Sequence, residues 1–425
     1  MELLNDLKEH ITSHNATNDT HQKSFDFLKD HLTKVGVDVE ALLKLISSFQ
    51  VAIPSWALGA GGTRFGRFRF AGEPATLEDK IDDVGIIHQL TKNAGAISLH
   101  IPWDIPTDFS TVKEKAAQYD LVFDAINSNT FQDQPAQVHS YKFGSLGNES
   151  AEIRAQAIQH NLEVIRLGEQ LGSKSLTIWL ADGSTFPGQA SFQRSLAYTQ
   201  QSLEVIYKNL PTDWRVLIEY KPYEPNFYHT IIQDWGTSYM LASSLDEKAY
   251  TLVDLGHHLP NTNIENIVAT LLYTAKLGGF HFNDSKYGDD DLTVGSIKPY
   301  QLFLIFNELV GVIREGESLS WMIDASHNIK DPLEDLMQSI EAILIALTQA
   351  LLIDKVRLQE AQIAHDAVEC QRILQAAYRT DVRPLIAEAR RVSGGALDPV
   401  KYYREARIRE KLIDKRGVET KSSGL

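Results

Sequence analysis

The hydrophobic rhythm of the chain changes near residue 50 and again near residue 330. Before the first change, apolar residues recur at helical spacing, as in Phe25-Asp-Phe-Leu-Lys-Asp-His-Leu32 and Val39-Glu-Ala-Leu-Leu-Lys-Leu-Ile46, which predicts two or three helices. Between the two changes come short apolar runs of strand length, at 51–55, 97–101, 121–126, 175–180, 216–219, 251–254, 279–282 and 319–324. Helix-like stretches separate them, at 77–93, 151–171, 191–209, 228–244, 264–277 and 299–312. This alternation predicts an α/β fold, a (β/α)8 TIM barrel. The alternative is a doubly wound open sheet, which would gather its polar side chains near one switch point. Here they stand at or near the carboxyl ends of successive runs, at His100, Trp179, Glu219, Asp254, His281 and Asp324, where a barrel builds its site.

After the last run, Asp331-Pro-Leu-Glu334 sets an acid before a proline and a glutamate, a strong helix start. Long helices are expected from there to about Tyr378, with a break at Thr380-Asp-Val-Arg-Pro384 and a further helix to Ser393, ended by Gly394-Gly395. The tail over 415–425 is expected to fray. The expected division is therefore a helical preface over 1–50, a catalytic barrel over 51–332 and a C-terminal helical extension over 333–425. The extension exceeds what a barrel needs, so part of it is expected to pack on a neighbouring subunit.

Composition narrows the function classes. The 425 residues carry 56 acids against 41 bases, a net charge of -15, which argues against nucleic acid and anionic membranes as partners. The single cysteine, Cys370, excludes an internal disulfide and a cysteine-based zinc finger. The N-terminus, Met1-Glu-Leu-Leu-Asn-Asp-Leu-Lys-Glu, has no basic or apolar leader character. No run approaches the roughly 18 apolar residues of a membrane span. A cytoplasmic protein is expected.

Candidate chemistry concentrates at the strand ends. Glu219, Asp254, His281 and Asp324 terminate four successive units and would converge above a barrel axis. Three carboxylates with an imidazole and no thiolate favour Mn, Mg or Co over structural zinc. Taken singly, each acid is better read as a helix cap or a solvated residue, and it is the four together that point to a metal. A second set is His257, Asp289 and Asp291, with Glu219 bridging, the two aspartates pointing the same way from an extended loop and Asp290 pointing outward. A plain acidic turn is the alternative there. Lys221 shares the strand face of Glu219 and is placed to meet a substrate oxygen or to form a structural ion pair. His258 reads as structural. Trp56, Trp103 and Trp179, with His100 beside them, offer rings and a hydroxyl partner for a sugar, or else belong to the core. Gly59-Ala-Gly-Gly-Thr-Arg-Phe-Gly66 lacks the lysine of a phosphate loop and reads better as a lid ending in Arg64 and Phe65.

These residues resemble the microbial L-rhamnose isomerases, in the branch with relaxed aldose specificity, among the xylose isomerase-like barrels. The resemblance rests on Pro54-Ser-Trp56, Gly61-Gly-Thr-Arg-Phe65, Ser98-Leu-His-Ile-Pro-Trp-Asp104, Asn127-Ser-Asn-Thr-Phe131, Val253-Asp-Leu-Gly-His-His258 and Asp324-Ala-Ser-His-Asn328. It rests most of all on Gly278-Gly-Phe-His-Phe-Asn-Asp-Ser-Lys-Tyr-Gly-Asp-Asp-Asp291. It implies one Mn2+ at Glu219, Asp254, His281 and Asp324 and a second at His257, Asp289 and Asp291, with Co2+ or Mg2+ as substitutes. It implies sugar contacts at His100, Trp103, Trp179 and Lys221, beside the Trp56 ring, and a lid residue, Phe65, reaching a neighbouring subunit's site. The implied activity is conversion of L-rhamnose to L-rhamnulose, and of related aldoses to ketoses, by a metal-assisted 1,2-hydride shift in a homotetramer. Asp324 and Lys221 would be its catalytic groups, with Glu219 the base of a competing enediol route. Tyr220-Lys-Pro-Tyr223 and Asp324-Ala-Ser depart from the family pattern His-Lys-Met-Tyr and Asp-Gln-Ser, so substrate preference is expected to shift. The rival readings are a sugar epimerase or an abasic-site endonuclease on the same barrel, and a non-catalytic sugar-binding protein.

Overall fold

The apolar runs form strands close to where the sequence puts them. The computed structural model describes residues 10–59, 70–224, 227–316, 318–325 and 329–419. Its strands are β1 (Ala52–Pro54), β2 (Ala96–Ser98), β3 (His100–Ile101), β4 (Val122–Phe123), β5 (Ile126–Ser128), β6 (Ser175–Ile178), β7 (Gly183–Ser184), β8 (Arg215–Glu219), β9 (His229–Thr230), β10 (Ala249–Asp254), β11 (Leu277–Phe282) and β12 (Ser320–Ile323).

Ten of these form one parallel sheet in the order β3-β5-β6-β8-β10-β11-β12-β1-β2-β4. Leu99 alone separates β2 from β3. The sheet curls as a TIM-barrel-like layer, with β1 pairing β2 at Ala52 and Ala96 and β12 at Ala52 and Met322. Strands β6 and β11 are buried at every residue, as a parallel sheet covered on both faces requires. An aromatic stack cements β11 and β12 to the helix Pro299–Glu315: Phe280 lies 5.5 Å from Trp321 and Phe282 lies 5.9 Å from Phe306.

Four expectations change. The stretch 228–244 is not one helix, because β9 pairs antiparallel with β7 and the helix Trp235–Leu245 starts only where Asp234 accepts the Thr237 amide at 2.7 Å. A β-branched run, Thr230-Ile-Ile232, takes the place of the expected first turns. The helix Phe109–Gln118 was not expected from the pattern, since only Val112 and Ala116 mark its buried side. The region after residue 331 holds three helices up to Tyr378, Pro332–Leu351, Lys355–Ile363 and Ala367–Tyr378, the last two capped by Asp354 and Asp366. The start of the tail is ordered rather than frayed: Ile408–Arg416 is a helix, with Arg416 2.7 Å from Asp83 and Lys415 2.9 Å from Asp82. Residues 420–425 lie outside the described residues. Among the described residues, no single helix is long and apolar enough to cross a membrane.

Candidate metal centre

Strand register brings the candidate ligands together. Asp254 is level with His281 across β10 and β11, and Glu219 is level with Leu252 across β8 and β10. Glu219 Oε1 lies 3.1 Å from His257 Nδ1 and 3.3 Å from His281 Nδ1. The same His281 nitrogen is 3.8 Å from Asp254 Oδ2 and 3.7 Å from Asp324 Oδ2. Ligand atoms of Glu219, Asp254 and His257 lie within 4.8 Å of one another, as do those of Asp254, His281 and Asp324. Asp324 stays partly open, and its Oδ1 accepts the Trp56 indole N–H at 2.9 Å.

The local fold explains the position of His257. Asp254 Oδ1 accepts the backbone amides of Gly256 at 2.7 Å and His257 at 3.2 Å, which folds the chain back at the strand end. The Asn283 side-chain amide completes that oxygen's bonds at 2.9 Å. His258 turns the other way, its Nε2 2.6 Å from the Tyr220 hydroxyl, a structural contact.

The acidic loop is built differently from its expected extended form. Asp289 and Asp291 take left-handed backbone with φ of 53° and 48°. Asp289 is fixed by its amide, which donates to the Gly256 carbonyl at 2.8 Å. Asp290 caps its own loop rather than pointing outward, accepting the amides of Lys286 at 2.6 Å and Tyr287 at 2.9 Å. Asp289 and Asp291 are both buried; Asp289 Oδ1 meets His257 Nε2 at 2.9 Å, and Asp291 lines the central cavity.

The electrostatics describe a site with more negative charge than its side chains balance. Burial raises the Asp254 carboxyl to about 7, opposed by His257 and reinforced by Glu219 and Asp324. Burial also raises Asp324, against the pull of His281. For Glu219 burial acts upward, but His281 and His257 outweigh it and hold the carboxyl at about 2. Burial works against charge on the imidazoles, yet the carboxylates outweigh it and raise His257 well above its usual range and His281 to about 9. Asp254 Oδ2 and His281 Nδ1 are buried and, among the described residues, have no hydrogen-bond partner. Buried polar atoms of this kind are rare unless an ion or water completes them. Three carboxylates and an imidazole around such atoms fit a hard divalent cation.

Facing the acids is an aromatic wall. The His100 ring lies 4.4 Å from Trp103, 5.3 Å from Trp56 and 5.5 Å from Phe131, and Phe131 meets Trp179 at 4.6 Å. Burial lowers His100 to about 3, so its imidazole is neutral. Wall and acids enclose a cavity of roughly 250 Å³. A buried pair supports the wall from behind: Lys80 Nζ reaches Asp104 at 2.7 Å, and Asp104 accepts the His100 amide at 2.8 Å. The Lys221 ammonium, 5.4 Å from the Trp179 ring centre, is bonded to Glu224 and Asp289.

The structure thus gathers Trp56, His100, Trp103, Trp179, Glu219, His257, His281, Asp291 and Asp324 around one cavity, with Asp254, Asp289 and Lys221 bonded behind them. Phe65 and the expected lid beyond Gly59 lie outside the described residues. Reasoning from sequence passed over Phe131 and Glu224 as site residues, although both line the cavity. Phe131 was legible as an aromatic just past a strand end, whereas Glu224 follows a strand end by five positions and has no periodic signal.

No family model matches the chain. It is 49% identical over 397 residues to a probable sugar isomerase of Rhizobium meliloti, an alignment covering 93% of this chain and 92% of that protein. It is 50% identical over 406 residues to a probable sugar isomerase of Mesorhizobium japonicum, covering 95% and 94%. Among solved structures, an L-ribulose 3-epimerase superposes with a TM-score of 0.52 at 13% identity, over 74% of this chain and 98% of that one, a likeness of fold.

Proposed function

The chain belongs to the family of these probable sugar isomerases, and we propose that it is a metal-dependent aldose-ketose isomerase converting L-rhamnose to L-rhamnulose and accepting related aldoses. The observation that carries the metal dependence is the pair of buried atoms without a hydrogen-bond partner among the described residues, Asp254 Oδ2 and His281 Nδ1, set among carboxylates opposite an aromatic wall. In this reading the ten strand segments are eight runs of a closed (β/α)8 barrel, β2 with β3 and β4 with β5 counting as one run each. The extension over 333–425 serves assembly into a homotetramer in the cytoplasm.

Glu219, Asp254, His281 and Asp324 would hold one Mn2+, and His257, Asp289 and Asp291 with Glu219 a second. Bound there, the metal supplies Lewis-acid polarisation of sugar oxygens. The chain's own groups do the rest. Trp56, Trp103, Phe131 and Trp179 stack on the apolar C–H face of the sugar and exclude water. The Asp324 carboxylate accepts the proton of the sugar's O2 hydroxyl. The C2 hydrogen then moves to C1 with its electron pair, so that C2 becomes the ketone carbonyl and the former aldehyde oxygen an alkoxide. The Lys221 ammonium stabilises that alkoxide, and the proton held on Asp324 returns to it. In the competing enediol route Glu219 takes the C2 hydrogen as a proton.

The reading is tested by incubating a panel of aldoses, L-rhamnose among them, with the Mn2+-loaded protein in heavy water and following the products by NMR. The expected product is a ketose whose C1 is essentially undeuterated. Extensive label at C1 contradicts the hydride shift and selects the enediol route. Inversion at C3 of a supplied ketose, with no aldose interconverted, replaces the isomerase reading by an epimerase.

A further inference from the structure

Lys221 is 2% exposed, and its ammonium has two carboxylate partners, Glu224 and Asp289. Asp289 is in demand from a second side, because its Oδ1 also meets His257 Nε2 at 2.9 Å. A cation held by His257 and Asp289 would therefore share that carboxylate's single charge with Lys221, which bonds its other oxygen, Oδ2, and in that sense compete with it. Glu224 changes the outcome of that competition. It lies three residues beyond Lys221, is itself buried and borders the cavity. Its place is set by backbone: the Lys221 amide donates to the Ile232 carbonyl and the Phe227 amide to the Glu224 carbonyl, both at 2.9 Å. The antiparallel pair β7 and β9 anchors the same excursion, where a Cβ on Gly183 would stand 2.2 Å from the His229 carbonyl oxygen.

We infer that Glu224 is a positioning residue, the standing counter-ion of Lys221, which leaves the Asp289 carboxylate available to a divalent metal beside His257. The inference rests on the proposal that His257, Asp289 and Asp291 hold a second ion. A buried ammonium requires an anion beside it. With Glu224 present that anion need not be Asp289; without it the carboxylate left to Lys221 among the described residues is Asp289, which it withholds from the metal.

The test is Mn2+ titration of the metal-free, full-length protein by calorimetry. Wild-type protein is expected to bind two ions, and Glu224→Gln to bind one of them with its wild-type affinity and the other about tenfold more weakly or worse, the scale on which partners of metal ligands act. Glu224→Asp, which keeps the charge, is expected to recover most of the loss. Adding Lys221→Met to Glu224→Gln removes the competitor and restores the weakened site. The unchanged ion in Glu224→Gln reports an intact fold. Equal weakening of both ions, weakening of neither, or a double variant as weak as Glu224→Gln overturns the inference. A wild-type protein that binds a single ion overturns instead the two-ion reading beneath it.

Discussion

Asp289 and Asp291 are the residues on which the division of the acidic loop into two tasks depends. His281 belongs with Asp254 and Asp324 at the strand ends, whereas Asp289 reaches back to His257 from the loop. Substituting both loop aspartates by Asn is expected to abolish turnover while one Mn2+ still binds and the melting temperature stays near wild type; loss of both ions contradicts the division. Glu219, Asp254, His281 and Asp324 were legible because four successive strand runs end at or next to an acid or imidazole, a chemical signal at a structural boundary. Glu224 and the capping role of Asp290 were not, because isolated residues in a loop have no periodicity and their partners lie far off in sequence or in backbone amides. A residue remote from the site gives a pH prediction. His88, on the helix Leu77–Thr91, is lowered from 6.5 to about 4, first by burial and then by Lys92. The unfolded chain therefore takes up a proton near pH 6.5 that the native state refuses until about 4, so stability is present above 6.5 and is lost as pH falls through that window. The slope contributed by this histidine is at most about 1.4 kcal/mol per pH unit. His88→Gln is expected to flatten the dependence of the urea midpoint on pH between those limits; an unchanged slope contradicts the assignment.

At the scale of elements, glycine 279 lets β11 approach β12 closely beneath the metal centre. A Cβ there would stand 2.3 Å from the Ser320 carbonyl oxygen, and Gly279 is the register partner of Ser320. Gly279→Ala is expected to destabilise the fold by about 1–3 kcal/mol, because the intruded atom is backbone and moves only with the strand. A denaturant midpoint equal to wild type contradicts this account of the sheet. The strands were legible within a few residues because a parallel sheet buried on both faces needs uninterrupted apolar runs. Helix boundaries were less so. The apolar pattern runs on through Leu351, Ile353 and Leu358, and only the caps at Asp354 and Asp366 divide that region. The helix Ile408–Arg416 is apolar at few positions and is held by charge, which hydrophobic rhythm does not report.

Across the whole molecule, the C-terminal segment returns to the helix Leu77–Thr91 and the stretch before it. The Gly72 amide donates to the Gly417 carbonyl at 3.0 Å, Arg416 meets Asp83 at 2.7 Å, and Arg409 meets Asp331, just after the last strand, at 2.7 Å. The extension thereby packs on the helix Leu77–Thr91 and beside the last strand of its own chain, contacts that the sequence pattern, which assigned part of it to a neighbouring subunit, did not predict. Metal dependence is the central claim, and it is tested most directly by ketose formation from L-rhamnose with the full-length protein stripped by a chelator and then resupplied with Mn2+. The account predicts a fall to background on stripping and recovery on resupply; isomerisation that persists after complete metal removal would contradict it.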